Sequence, residues 1–195
     1  MGIELKPEFR QVEGHKLFAW QEEGLSLFAT KVEKSKSETN FLACIAPNGG
    51  KTQFAAMAYK IASKQFGVKW LTVCVPSISI KKQWVKELRL FDIICSKELS
   101  NRQLSMNRPI DPRLHGMVVT YSQVKQFPSL YRKLAHRSKS MAILDEVHHL
   151  ADEKSWGDAA LKAFEFANIR LSLTGTPCRT DGEQIPFQEY EDVTN

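Results

Sequence analysis

Short apolar runs alternate with longer amphipathic segments along this chain. The first amphipathic segment, residues 16–33, carries apolar side chains on one side and polar ones on the other, which predicts a helix. A polar connection at residues 31–39 leads to the apolar run FLACIA at residues 41–46, which is typical of a strand covered on both faces. A second helix is predicted over residues 51–65, directly after a glycine-rich turn.

The same alternation continues along the chain and predicts the fold class. The further predicted strands are residues 70–75, 116–120, 141–144 and 169–173, the further helices are residues 78–90, 130–136 and 156–167, and residues 101–113 are expected to form a long loop. Strands that alternate with helices predict an α/β domain with a mostly parallel sheet and helices on both faces. Because right-handed crossovers bring the carboxyl ends of such strands to one edge, binding residues are expected in the turns that follow the strands.

The glycine-rich turn matches the end of the phosphate-binding pattern G-x-x-x-x-G-K-[ST], between a predicted strand and a predicted helix. The candidate phosphate-binding residues are Asn48, Gly49, Gly50, Lys51 and Thr52. Backbone N–H groups can converge on phosphate oxygens there, Lys51 can neutralise the β- and γ-phosphates, and the Thr52 hydroxyl can ligate Mg²⁺. Asn48 stands where another glycine is common, and asparagine tolerates a left-handed backbone. The alternative is an ordinary Asn-Gly-Gly turn.

Two adjacent carboxylates follow the apolar run MAIL. Asp145 is predicted to hold Mg²⁺, and Glu146 to polarise an attacking water as general base. Together with a phosphate cradle they supply what phosphoryl transfer requires, although alone they could simply cap the next helix. His148 is predicted to hydrogen-bond neighbouring strand loops, and Thr174 and Thr176 can bond to the acidic residues and relay their state.

The loop ending G-G-K-T, the box D-E-V-H and the segment T-G-T-P, in this order, resemble motifs I, II and III of superfamily two helicases. The form D-E-V-H with T-G-T-P-x-R-x-D is similar to the DExH branch of DNA translocases related to repair and restriction-enzyme motor subunits. The resemblance covers about residues 17–186. It implies a RecA-like P-loop NTPase domain over residues 41–195, with ATP and Mg²⁺ as cofactors, behind an N-terminal helical segment and linker at residues 1–40.

Three weaker matches extend this resemblance. They are Trp20-Gln21, which looks like the adenine-reading Q motif, Val75-Pro76-Ser77 with Gln83-Trp84, which looks like motif Ia, and Val119-Thr120-Tyr121, which looks like motif Ib. The first implies that Gln21 binds the nucleotide. The other two imply contacts with a sugar-phosphate backbone, with DNA favoured over RNA.

The family resemblance also implies a partner domain. In such motors a second RecA-like domain supplies motifs IV to VI, including the arginine fingers that complete the ATP site. Fewer than twenty residues follow T-G-T-P. The chain is therefore expected to be the first motor domain only, and to hydrolyse ATP very slowly unless a second RecA-like domain is supplied in cis or in trans.

Composition adds mainly a charge argument. Lys and Arg number 27 against 22 acidic residues, a formal net charge of +5, which is compatible with a polyanionic partner. The basic clusters are Lys81, Lys82, Lys86 and Arg89, and Arg132, Lys133, Arg137 and Lys139. The four cysteines include no C-x-x-C pair, which predicts a reducing, cytoplasmic environment without disulfides or zinc. No apolar run approaches the roughly 20 residues of a membrane span.

Three function classes fit these observations. The first is the ATP-binding half of a nucleic-acid-dependent DExH helicase or translocase. The second is another P-loop enzyme, such as a small-molecule kinase, which would have little use for D-E-V-H and T-G-T-P in series. The third is a non-catalytic module that keeps the P-loop fold for binding. ATP hydrolysis stimulated by nucleic acid distinguishes the first class from the other two.

Overall fold

The structure, a computed structural model, describes residues 11–12, 15–35, 38–106, 109–148, 150, 154–175 and 187. Within these residues the strands are β1 (Gln11–Val12), β2 (His15–Lys16), β3 (Thr39–Cys44), β4 (Trp70–Val75), β5 (Cys95–Ser96), β6 (Gly116–Thr120), β7 (Ser140–Leu144) and β8 (Ile169–Thr174). The helices are α1 (Ala19–Lys34), α2 (Lys51–Phe66), α3 (Ile78–Arg89), α4 (Asn101–Ser105), α5 (Tyr121–Gln126), α6 (Pro128–Arg137) and α7 (Lys154–Phe164).

Six strands form one parallel sheet in the order β3-β8-β7-β4-β6-β5, while β1 and β2 form a separate antiparallel pair. All pairings within the six-stranded sheet are parallel, so the predicted α/β class is confirmed. Strand β8 lies between β3 and β7. The glycine-rich turn after β3 and the acidic turn after β7 therefore stand on either side of the end of β8, at the carboxyl edge of the sheet.

Helices cover both faces of the sheet. Successive side chains of a strand point to opposite faces, so neighbouring residues of one strand pack into two different cores. Val73 of β4 and Ile143 of β7 pack into one core with α1, α2 and α3. Their neighbours Cys74 and Leu144 pack into the other core with α5, α6 and α7. Helix α1 places Leu25 in the first core, so the N-terminal helix shares its packing with the sheet domain.

Several local expectations need correction. Helix α1 begins at Ala19, three residues later than predicted, and β3 begins at Thr39, two residues earlier. The expected long loop at residues 101–113 begins with α4, which starts from a capping box between Ser100 and Gln103. Cys44, in the apolar run FLACIA that was expected to be covered on both faces, is exposed because it ends a strand at the edge of the described sheet. Among the described residues, no helix is long and apolar enough for a bilayer span.

Candidate nucleotide-binding site

The turn between β3 and α2 has the backbone shape of a phosphate cradle. Asn48 has φ 61° and Gly50 has φ 84°, so the expectation that asparagine occupies the left-handed region is confirmed. At Gly49 a Cβ atom would lie 2.8 Å from the Ala46 carbonyl oxygen, which leaves room only for glycine. Gly50 is the N-cap of α2, so the positive end of this 16-residue helix faces the turn.

Lys51 and Glu146 meet across the end of β8. The Lys51 ammonium pairs with the Glu146 Oε1 oxygen, although the two residues are 95 positions apart in the chain. Both side chains are largely buried, with 15% and 24% of their surfaces exposed. The structure therefore brings the candidate phosphate-binding lysine and the candidate general base into direct contact.

Asp145 is the most buried charged side chain of the site, at 5% exposure. Its Oδ2 oxygen accepts a hydrogen bond from the Trp84 indole Nε1–H at 2.7 Å, and its backbone carbonyl accepts one from the Tyr121 hydroxyl at 2.8 Å. Burial raises the pKa of Asp145 to about 6, against the opposing effect of the Trp84 hydrogen bond. Its Oδ1 oxygen is buried and has no hydrogen-bond partner among the described residues.

Glu146 stands in a strained turn that follows β7. The next residue, Val147, donates its backbone N–H to the Leu173 carbonyl of β8, so this turn lies against the end of β8. The φ of Glu146 is 51°, which is uncommon for a residue with a side chain and is typical of functional sites. Its Oε2 oxygen lies 3.4 Å from His148 Nδ1 and accepts a hydrogen bond of 3.4 Å from the Gly175 backbone N–H. His148 Nδ1 lies 3.1 Å from the Thr174 hydroxyl, as expected for a histidine that bonds to a neighbouring strand end. Thr176 lies outside the described residues.

Gln21 lies beneath the phosphate loop and is fully buried. Its Nε2 amide donates to the Gly50 carbonyl at 3.3 Å, and its Oε1 oxygen accepts from the Phe18 backbone N–H at 3.0 Å. A Cβ atom at Gly50 would approach this amide to 2.8 Å. In this arrangement Gln21 supports the loop that would hold phosphates, and its contact with adenine stays a prediction.

The candidate nucleic-acid residues follow β4 and β6, at the same carboxyl edge as the acidic turn. Pro76 and Ser77 are half-buried, and the Ser77 hydroxyl accepts from the Ile80 backbone N–H as the N-cap of α3. Thr120 caps α5 in the same way. The prediction that Tyr121 contacts nucleic acid is wrong for its side chain, which is 1% exposed and bonded to Asp145.

A cavity of about 620 Å³ opens beside these groups and is lined by the loop, by α3 and by the acidic turn. Its polar lining includes Lys51, Thr52, Asp145 and Glu146. This donor set fits a triphosphate with Mg²⁺, because the cation commonly takes one or two protein oxygens and completes its shell with phosphate oxygens and water. The described residues contain no cluster of three or more His, Cys, Asp or Glu side chains that could hold a metal ion.

The structure adds a contact at the site that the match to motif Ia did not indicate. Trp84 packs in the core at 3% exposure, and its indole N–H also bonds to Asp145. Lys81, the first residue of the first basic cluster, donates its ammonium to Gln123 at 3.1 Å, and burial lowers its pKa. Neither contact could be predicted from the sequence, because the helical spacing of basic and aromatic residues does not show which distant residue each will meet.

Comparisons with known proteins agree with this geometry. The family described as "Type III restriction enzyme, res subunit" matches residues 14–179. Two curated relatives are uncharacterized proteins of Mycobacterium tuberculosis (strain CDC 1551 / Oshkosh) and Mycobacterium leprae (strain TN), which are 38% identical over 152 residues and 37% identical over 151 residues. The matches cover 78% and 77% of this chain. They cover 25% of each relative, so the chain spans about a quarter of their length.

Solved structures share the fold at low sequence identity. The Sulfolobus solfataricus SWI2/SNF2 ATPase core in complex with dsDNA has a TM-score of 0.67 and 19% identity, covering 90% of this chain and 34% of that chain. The Pyrococcus furiosus Hef helicase domain has a TM-score of 0.60 and 18% identity, and the match covers 83% of this chain and 33% of that chain. The UvsW helicase from bacteriophage T4 has a TM-score of 0.60 and 14% identity, and the match covers 90% of this chain and 62% of that chain.

The strand order, the glycine loop and the acidic turn define a RecA-like P-loop domain, the fold that the chain shares with these solved structures. Within that class, the chain belongs to the family of type III restriction enzyme res subunits. The resemblance that the motifs implied is confirmed at this level.

Proposed function

We propose that this chain binds ATP with Mg²⁺ and serves as the ATP-hydrolysing half of a DNA-dependent DExH motor. The observation that carries the proposal is the meeting of Lys51 with Glu146, next to Asp145, in one cavity at the carboxyl edge of the sheet. A purely structural turn has no need for a lysine, a strained glutamate and a buried carboxylate in one place.

Each residue has a role that its position supports. The backbone N–H groups of the loop and Lys51 would hold the phosphates, and the Thr52 hydroxyl and Asp145 would hold Mg²⁺, which offsets phosphate charge. Lys51 pairs with Glu146 and neutralises its charge. When Lys51 turns to phosphate oxygens, the Glu146 carboxylate is released to orient a water molecule and accept its proton.

Replacing Lys51 by alanine is expected to weaken nucleotide binding by about tenfold or more, because a charge-assisted contact to phosphate is worth about 1.4 kcal/mol or above. Titration of ATP or ADP with Mg²⁺ measures the change. Lys64→Ala is the matched control, since Lys64 lies on an exposed part of the last turn of the same helix. Equal affinity of Lys51→Ala and the parent chain would contradict the phosphate-loop assignment.

Charge and position support a nucleic-acid backbone as the partner. Helix α3 begins at the edge that holds Pro76 and Ser77, and its exposed face carries Lys82, Lys86 and Arg89. Contacts to phosphates from such groups give affinity without sequence preference. Double-stranded DNA in the SWI2/SNF2 complex, a neighbour in fold, favours DNA as the polymer.

DNA binding is expected to be weak, independent of sequence and sensitive to salt. If two to four phosphates are bound, the logarithm of the binding constant should fall with the logarithm of salt concentration with a slope of roughly −2 to −4 on a duplex. Replacing Lys82, Lys86 and Arg89 together by alanine should make that slope shallower by about 1 for each phosphate that the variant no longer neutralises.

The second basic cluster offers a matched control for this experiment. Lys133 and Arg137 are exposed on α6, whose C-terminal end leads into the start of β7 at the opposite edge of the sheet. Replacing both by alanine should give the same salt slope as the parent chain. A flat salt dependence, or strong discrimination between DNA sequences, would count against a surface that follows the backbone.

A further inference from the structure

We propose that Trp84 is a positioning residue for Asp145: its indole N–H holds one oxygen of the carboxylate so that the other can serve Mg²⁺. This inference rests on the proposed function, because it concerns the residue assigned there to the cation. It gives Trp84 a role at the cation site, which neither the match to motif Ia nor the packing of α3 indicates.

The backbone of Asp145 is fixed independently of Trp84. Its N–H donates to the Cys74 carbonyl at 2.9 Å, and its own carbonyl accepts from the Tyr121 hydroxyl at 2.8 Å. These two bonds place the residue at the end of β7 but leave the rotation of its side chain open. The Trp84 bond to Oδ2, at 2.7 Å, is the side-chain hydrogen bond that orients the carboxylate itself.

The chemistry of the indole suits this task. Trp Nε1 is a donor only, so it can hold a carboxylate oxygen without competing for a cation. It is also neutral, so the carboxylate keeps its negative charge, which a lysine or arginine in that place would neutralise. A donor bond to an ionised acceptor is about twice as strong as a bond between neutral groups, and burial keeps water from replacing it.

The donor is itself held rigidly. Trp84 lies within the 12-residue helix α3, which Ser77 caps, and is buried together with Leu88 of the same helix. Side chains on well-packed helices hold a site more precisely than side chains on loops. The Oδ1 oxygen, which has no partner among the described residues, is left as the oxygen for Mg²⁺, directly or through water.

The test is a Mg²⁺ titration of nucleotide binding by the parent chain and by Trp84→Phe, with a fluorescent ATP analogue that cannot be hydrolysed. The Mg²⁺ concentration at which binding is half-maximally strengthened should rise by about 10-fold or more in Trp84→Phe, which is the usual effect of removing a partner of a metal-binding group. Affinity measured in excess EDTA should stay at the parent value, because the phosphate loop is unchanged. In an Asp145→Asn background, Trp84→Phe should cause no further change.

Trp70→Phe is the matched control. Trp70 belongs to β4, and its indole Nε1 is buried without a hydrogen-bond partner among the described residues, so the substitution removes the same atoms but no bond. The Mg²⁺ midpoint should stay at the parent value. If Trp84→Phe does not fold, a benzothienyl isostere of the Trp84 side chain removes the N–H while it preserves the shape.

A folded Trp84 variant with the Mg²⁺ midpoint of the parent would overturn the positioning role, while the effect of Lys51→Ala on nucleotide binding would still support the proposed function. An equal drop in affinity with and without Mg²⁺ would also overturn it, since that result indicates general damage to the site. A parent chain that binds no nucleotide would overturn the proposed function and, with it, the role of Trp84.

Discussion

Adding a second RecA-like domain, in cis or in trans, is expected to raise ATP turnover by residues 1–195 by about 10³-fold or more. The binding groups of the single domain hold the ground state, whereas rate comes from charge stabilisation that develops in the transition state. An arginine finger is worth on the order of 10³ to 10⁵ in turnover in related phosphoryl-transfer enzymes. Among the described residues, no arginine lines the cavity that holds Lys51 and Glu146.

Turnover of residues 1–195 should be measured alone, with DNA, and together with the second domain. Its nucleotide affinity with Mg²⁺ serves as the control, because a chain that binds ATP normally but turns it over slowly lacks transition-state groups rather than a folded site. Brisk hydrolysis stimulated by DNA in residues 1–195 alone would show that the domain completes its own catalytic site.

Five of the six strands of the sheet could be predicted because they are apolar and separated by turns, whereas β5 has two residues, too few to show a pattern. Strands β4 and β6 have the predicted limits, since each runs between polar turns and is buried on both faces. Helix α5 could not be found in the same way. It has six residues, too few for a helical period to show, and it rests on the Thr120 cap and on packing of Tyr121 and Val124.

The candidate site likewise has one part that local sequence predicts and one part that depends on packing. The glycine loop and the acidic pair are each a contiguous motif, so residue type and order were enough to predict that Lys51 and Glu146 lie at the same edge of the sheet. The support of Asp145 is different, because Trp84 lies 61 positions away and reaches it only when α3 packs against the sheet. A buried hydrogen bond of this kind depends on the packing of α3, and no local pattern encodes it.

Tyr121 illustrates the limit of motif transfer. The V-T-Y segment suggested an aromatic ring at the nucleic-acid edge, yet Tyr121 is the first residue of α5 and turns into the core. There it bonds to the Asp145 carbonyl and stacks on Trp156, with ring centroids 5.8 Å apart. Residue type and order could not tell these alternatives apart, because an amphipathic tyrosine suits both a wet edge and a buried site with an acceptor.

Glu146→Gln is expected to lower turnover of the complete two-domain ATPase by about 10²- to 10⁴-fold, which is the usual contribution of a general base. Glutamine has nearly the same shape and can still accept a hydrogen bond from Lys51, so the cavity is preserved. It cannot take a proton from water, so the chemical step is affected while nucleotide affinity stays near the parent value. Single-turnover hydrolysis and equilibrium nucleotide titration separate these two effects.

Glu87→Gln provides the matched control for this last experiment. Glu87 lies on α3 and lines the same cavity, but its Oε1 oxygen accepts from Gln83 Nε2 at 2.7 Å and the ammonium of Lys51 pairs with Glu146 instead. The change removes one negative charge from the cavity, as Glu146→Gln does, so a shared decrease in rate would indicate a general electrostatic effect. A large decrease in Glu146→Gln alone identifies the proton acceptor, and full turnover by Glu146→Gln would exclude Glu146 from that role.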